Sequence, residues 1–178
     1  LDRELQALLV RRWFVRLKEA PELGLQTADA MIDHIRVEQG LDDLAANPLL
    51  LTAMCIIYDQ GKRLPHDKHT LYDKIVDTVL HKRYAVRQRV DPIRGRLAAV
   101  AFGMHTGEAI GQHRETPEAS ATNHEIGLIL QAYHNADGAT DKGLRDIVDV
   151  REDLLSQSGL LVSGENGASF FHLSIQEF

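Results

Sequence analysis

The chain has 178 residues, with 20 Lys+Arg, 26 Asp+Glu, a formal net charge of -6 and a single cysteine. One cysteine excludes an internal disulfide framework and suits a reducing compartment, while this length can bury a real core as one large domain or two small ones. No signal-peptide pattern opens the chain, and the longest apolar run, Pro48 to Ile57 with Thr52 inside it, is too short to span a bilayer, so a soluble, cytoplasmic protein without a membrane partner is expected.

Leu1, Leu5, Leu8, Leu9, Trp13 and Leu17 recur at helical spacing and predict a first helix with that stripe inward, ended by Pro21 and Gly24. Thr27 is the expected cap of a second helix, with Met31, Ile32 and Ile35 on one face and Gly40 at its close. Asn47-Pro48 is a strong helix start, because Asn is a favoured N-cap and Pro at the first helical position loses no needed hydrogen bond. The helix that follows, Leu49 to Tyr58, is apolar nearly all round and belongs at the centre of a bundle. After a turn at Gly61 and Pro65, Thr70-x-x-Asp73 resembles a capping box, with Leu71, Ile75, Val76, Val79, Leu80 and Tyr84 as the core face.

Asp91-Pro92 repeats the cap-plus-proline signal, and the domain boundary is placed near residue 90. A helix over about Ile93 to His105 points Leu97, Val100, Ala101 and Met104 inward. Gly107 and Gly111 bracket a loop or short strand. Thr122-x-x-Glu125 is a capping box before Ile126, Ile129, Leu130 and Tyr133. A polar loop over 135–142 leads to a helix from Leu144 that Gly159 ends. Leu160 to Ser163 and Ala168 to Leu173 then flank Gly164-Glu165-Asn166-Gly167, a hairpin signal. Ser174-x-x-Glu177 is a third capping box, with Leu173 and Phe178 placed as a hydrophobic staple. The predicted fold class is mostly α: a helical bundle over 1–90, followed over 91–178 by a winged-helix domain with a small β-hairpin. Leu1 falls within a helical pattern and Phe178 just past a helix start, so both ends read as cuts in a longer chain.

Catalytic motifs do not appear. There is no G-x-x-x-x-G-K-[ST] loop, G-x-S-x-G elbow or C-x-x-C, and no local grouping of Ser, His and Asp. Cys55 lies in an apolar run and reads as a core residue. His66 and His69 are the closest histidine pair but lack nearby third and fourth ligands, so no metal site is assigned. His172 stands between Phe171 and Leu173, just before a capped helix start. It is either a strand histidine bonded to a neighbouring loop or part of an anion site at a helix N-terminus.

Taken together, Asn47-Pro48-Leu49-Leu50-Leu51, Gly61-Lys62-Arg63-Leu64-Pro65 and Leu71-Tyr72 resemble the helical domain that follows the nucleotide-binding core of NACHT-family signalling NTPases. Leu154-Leu155, Ser158-Gly159-Leu160-Leu161 and Phe170-Phe171-His172-Leu173-Ser174-Ile175-Gln176-Glu177-Phe178 resemble the end of that family's winged helix. The resemblance covers nearly the whole chain, although residues 105–145 are not diagnostic. It implies a nucleotide-controlled switch that holds ADP when closed and forms a homo-oligomer after exchange for ATP, with a role in innate immune or antiviral defence. It also implies that Pro48 packs near the adenine and that His172 approaches the β-phosphate of ADP. The Walker loop, the magnesium-binding acids and the sensor arginine belong to an upstream core of the same chain. The 178 residues are therefore expected to be non-enzymatic and to bind ADP or ATP weakly.

Two other readings stay open. One is a helical and winged-helix interaction module with no nucleotide role, in which Pro48 is a helix starter and nothing more. The other is a DNA-binding winged helix. Charge argues against nucleic acid: residues 1–90 hold 14 Lys+Arg and 13 Asp+Glu, but residues 91–178 hold 6 and 13, and the helix over 144–157 carries Asp146, Asp149, Glu152 and Asp153 against Arg145 and Arg151.

Overall fold

The computed structural model describes residues 1–38, 40–61, 63–65, 67–84, 90–136 and 147–178. The chain is mostly helical, with one small three-stranded antiparallel sheet. It divides into two compact units, Leu1–Ile75 and Val76–Phe178. The boundary expected near residue 90 adjoins 85–89, which lie outside the described residues. Among the described residues no helix is long and apolar enough to cross a membrane.

In the first unit α1 (Arg3–Leu17) is capped by Asp2, whose carboxylate accepts from the Leu5 N–H at 2.9 Å. It packs on α2 (Pro21–Val37) and α4 (Pro48–Asp59), and α3 (Leu41–Ala45) is a short turn between those two. Two expectations are corrected. First, α2 begins at Pro21, not after Thr27. Pro21 is the first helical residue, where a missing N–H costs nothing, and the Thr27 hydroxyl donates to the Leu23 carbonyl inside the helix.

Second, α1 buries a different face. Gly24 lies where the two helices touch, and a Cβ there would stand 2.7 Å from the Phe14 carbonyl oxygen and 2.8 Å from the Val15 Cα. This close approach turns Ala7, Val10 and Phe14 inward, together with Gln6, whose amide donates to the Leu1 carbonyl. Leu1, Leu5, Leu8 and Leu17, expected inside, are exposed. Periodicity detects a stripe of leucines but not which stripe a neighbouring helix will cover.

The centre of the unit is as expected. Leu51, Met54 and Cys55 of α4 are fully buried, and burial pushes the Cys55 thiol up to about 12, so it is a neutral core group. α5 (Lys68–Arg83) opens one turn earlier than the predicted box. Asp67 accepts from both the N–H (2.8 Å) and the hydroxyl (2.7 Å) of Thr70, and these bonds hold its carboxyl below the usual range.

The second unit takes in the second half of α5 and then runs α6 (Val90–Thr106), a 3₁₀ turn (Glu108–Ile110), β1 (Ser120–Thr122), α7 (Asn123–Ala136), α8 (Ile147–Gln157), β2 (Leu161–Ser163), β3 (Gly167–Phe170) and α9 (Leu173–Gln176). Helix, strand, helix, helix and hairpin is the winged-helix order. The hairpin forms where predicted, pairing Leu161 with Phe170 and Ser163 with Ala168. The stretch between Gly107 and Gly111 is the 3₁₀ turn, with both glycines left-handed at φ 70° and 71°. The third strand, β1, is an addition to the predicted hairpin, and it pairs with β3 to give the order β1-β3-β2. Three residues are too few to show alternation. Gly167, read as a turn residue, also permits this pairing, since a Cβ on it would fall 2.0 Å from the Ala121 carbonyl oxygen. Most of the predicted loop over 135–142, and Leu144 to Asp146, lie outside the described residues.

The Thr122–Glu125 capping box is present and extended. Glu125 accepts from the Thr122 N–H (2.7 Å) and hydroxyl (2.9 Å), Thr122 in turn accepts from the Glu125 N–H (3.2 Å), and Arg114 donates to the other carboxylate oxygen at 2.8 Å. The bonds from Thr122, chiefly its backbone N–H, and the Arg114 charge hold Glu125 below the ordinary glutamate range.

Two predictions follow from these contacts. Gly24→Val should lower the urea midpoint of the first unit, by about 1–3 kcal/mol of stability, because overpacking forces the α1 and α2 backbones apart. For Glu125, a depressed folded value means a contribution that is full above the ordinary value of about 4.3 and lost as pH falls through the folded one. Glu125→Gln should therefore melt below the parent at neutral pH, and the gap should close as pH drops below that ordinary value. An equal gap at every pH would contradict the assignment.

Candidate functional site

Pro48 is the first residue of α4, and its exposed ring stands beside a complete cap. The Asn47 side chain accepts from the N–H groups of Leu49 (2.9 Å) and Leu50 (3.4 Å), and Pro48 has no N–H. The first turn therefore offers no free donor at its first three positions. What it offers is a rigid apolar ring, suited to packing on a flat base and unsuited to binding phosphate.

His172 lies in the second unit, in extended backbone (φ -149°, ψ 134°) directly after the hairpin. The predicted Ser174–Glu177 box does not form; His172 itself is the N-cap, its Nδ1 accepting from the Ser174 N–H at 3.2 Å and its carbonyl from the Ile175 N–H at 3.0 Å. The helix is one turn long and its cap consumes these donors, so a helix-dipole anion site is not present. The proposed staple fails with the box, because Leu173 becomes the first helical residue and is exposed.

The ring itself remains. With Nδ1 accepting, the neutral imidazole of this half-buried residue carries its proton on Nε2, which is then its one N–H donor. The segment is held from below by Gln176, a buried side chain that donates to the Glu118 carbonyl at 2.8 Å and whose role left no trace in the sequence pattern.

The other histidines do not assemble. His66 lies outside the described residues, and among those described no group of three or more His, Cys, Asp or Glu could hold a metal. His81 and His105 each bond through Nδ1 to a carbonyl of their own helix four residues back.

The α8 surface does not resemble a DNA-reading helix. Its described basic residue, Arg151, donates to the Asn123 carbonyl at 3.3 Å and is largely covered, while Asp149 and Glu152 are exposed. A phosphate-facing helix needs free cations. Arg145 and Asp146 lie outside the described residues.

One prediction tests the Pro48 segment as local structure. Asn47→Ala should cost about 1 kcal/mol, through the loss of two capped N–H groups, and should appear as a lower melting temperature of the first unit. Comparisons with protein-family models, with curated proteins and with solved structures found no match to this chain.

Proposed function

We propose that the chain is the regulatory part of a NACHT-type, nucleotide-controlled signal-transduction switch, with Pro48 contacting the base and His172 contacting the β-phosphate of ADP. The observation that carries this reading is the half-buried His172 ring, whose Nδ1 is taken by the Ser174 N–H, which leaves Nε2 as the donor of the neutral imidazole. The exposed Pro48 ring on a capped helix start is compatible with it. Neither residue supplies a nucleophile or a base to cleave a phosphoanhydride, so in this reading hydrolysis and most of the phosphate contacts belong to an upstream core. His172 acts on the balance of states. A ligand shifts a two-state equilibrium only by its differential contact, and a contact that ADP makes in the closed state alone favours that state.

One such hydrogen bond to a charged group is worth about 1.5–3 kcal/mol, or roughly ten- to a hundredfold in the closed-to-open ratio. In the native protein with its nucleotide-binding core, His172→Ala should lose ADP faster by about that factor and assemble more readily. Dissociation of a fluorescent ADP analogue and sedimentation velocity read both effects. A variant that retains ADP and stays monomeric like its parent would sink the proposal.

A second reading, an interaction module with no nucleotide role, is favoured by the exposed leucines of α1. It predicts that His172→Ala leaves ADP retention unchanged.

A further inference from the structure

α1 has two apolar sides, and the structure covers one. At 3.6 residues per turn, Leu5, Leu8 and Arg12 of α1 share an arc of about 60° opposite Val10 and Phe14. Val10 and Phe14 are fully buried, but Leu5 and Leu8 are 48 and 44% exposed. Single exposed leucines are ordinary, whereas two that lie one turn apart on a helix are neighbours and share one apolar patch.

The charges on this face are ordered. Glu4 lies at its N-terminal end, and Arg12 and Arg16 lie at its C-terminal end. All three are exposed and hold no ion pair among the described residues. The other two arginines of α1 are already taken, Arg3 by Asp42 at 2.7 Å and Arg11 by Asp29 at 2.9 Å.

A face that is acidic at one end, leucine-rich along it and basic at the other is complementary to itself when reversed. We propose that α1 joins two copies of this chain as an antiparallel pair about a two-fold axis near Leu8. In that arrangement Leu8 meets Leu8, and Glu4 of each copy lies opposite Arg12 of the other. The same patch then serves on both copies, as a two-fold interface requires. A parallel pair sets Glu4 on Glu4 and Arg12 on Arg12 and is disfavoured. A single helix face is smaller than the roughly 800 Å² per partner of a standard interface, so the dimer is weak and concentration-dependent. The association rests on α1 alone and stands whether or not the chain meets nucleotide.

The test is sedimentation velocity on the whole chain from about 10 µM to about 1 mM, a range that captures weak dimers. The expected result is a reversible shift from monomer to dimer. Leu5→Glu and Leu8→Glu should each abolish it while leaving the helical circular dichroism of the monomer in place, since about half of each side chain is already in water. Charge reversal gives a sharper arm. Glu4→Arg alone and Arg12→Glu alone should each be monomeric, because each places like charges opposite one another. An equimolar mixture of the two should associate, because both cross-pairs are then opposite in sign. A chain that stays monomeric throughout overturns the proposal and assigns the leucine face to a partner of different chemistry. A dimer that survives both leucine variants, or a mixture no more associated than its components, overturns it equally.

Discussion

The carboxylate of Glu125 is the point on which the second unit is organised. One oxygen accepts from the backbone and hydroxyl of Thr122, which is both the last residue of β1 and the cap of α7. The other accepts from Arg114, whose guanidinium also donates to the Met104 carbonyl near the end of α6. One side chain therefore fixes where a strand stops, where a helix starts and how the intervening chain is tied to the preceding helix. With β1 held there, Gly167 can approach the Ala121 carbonyl, β3 becomes the central strand, and β2 closes the hairpin on its other side. His172 follows directly from that hairpin, so the orientation of its ring rests on the same placement.

In the first unit the corresponding constraint is the absence of a side chain. Gly24 lets the α1 and α2 backbones come together beside Phe14, and this contact selects the inward face of α1. The rejected face keeps its leucines in water. A helix with one buried stripe needs no second one for its own stability, since most helical stability in a protein comes from packing one amphipathic face. The second stripe is thus free to serve another purpose, and its ordered charges constrain what that purpose is.

The candidate nucleotide contacts differ in what supports them. Pro48 is placed by chemistry that can be read locally, an Asn cap and a proline at the first helical position, and the cap geometry agrees to the atom. The helix start beside His172 spends its Ser174 N–H on the His172 ring itself. With Nδ1 bonded, the neutral ring keeps one N–H donor, on Nε2. A capping histidine resembles any strand histidine in sequence, because its hydrogen bond depends on backbone angles that no residue pattern encodes. Gln176 and Glu118 show the same limit more strongly: they are 58 residues apart and join through a main-chain carbonyl, which every residue possesses.

The sequence by itself determined the helical class, the capped start of α4, the Thr122–Glu125 box, the hairpin over 160–173 and the inert character of Cys55. Each of these depends on residues within a few positions of one another, where side-chain chemistry and backbone geometry are tightly coupled. The tertiary structure alone decided which stripe of α1 is buried, that Pro21 begins a helix instead of ending one, that Ser120–Thr122 joins the sheet, and that His172 caps the last turn. In each case the local sequence pattern permits more than one outcome. The deciding term is a contact with a distant segment, namely a backbone approach at Gly24, a strand pairing at Gly167 or a buried amide at Gln176.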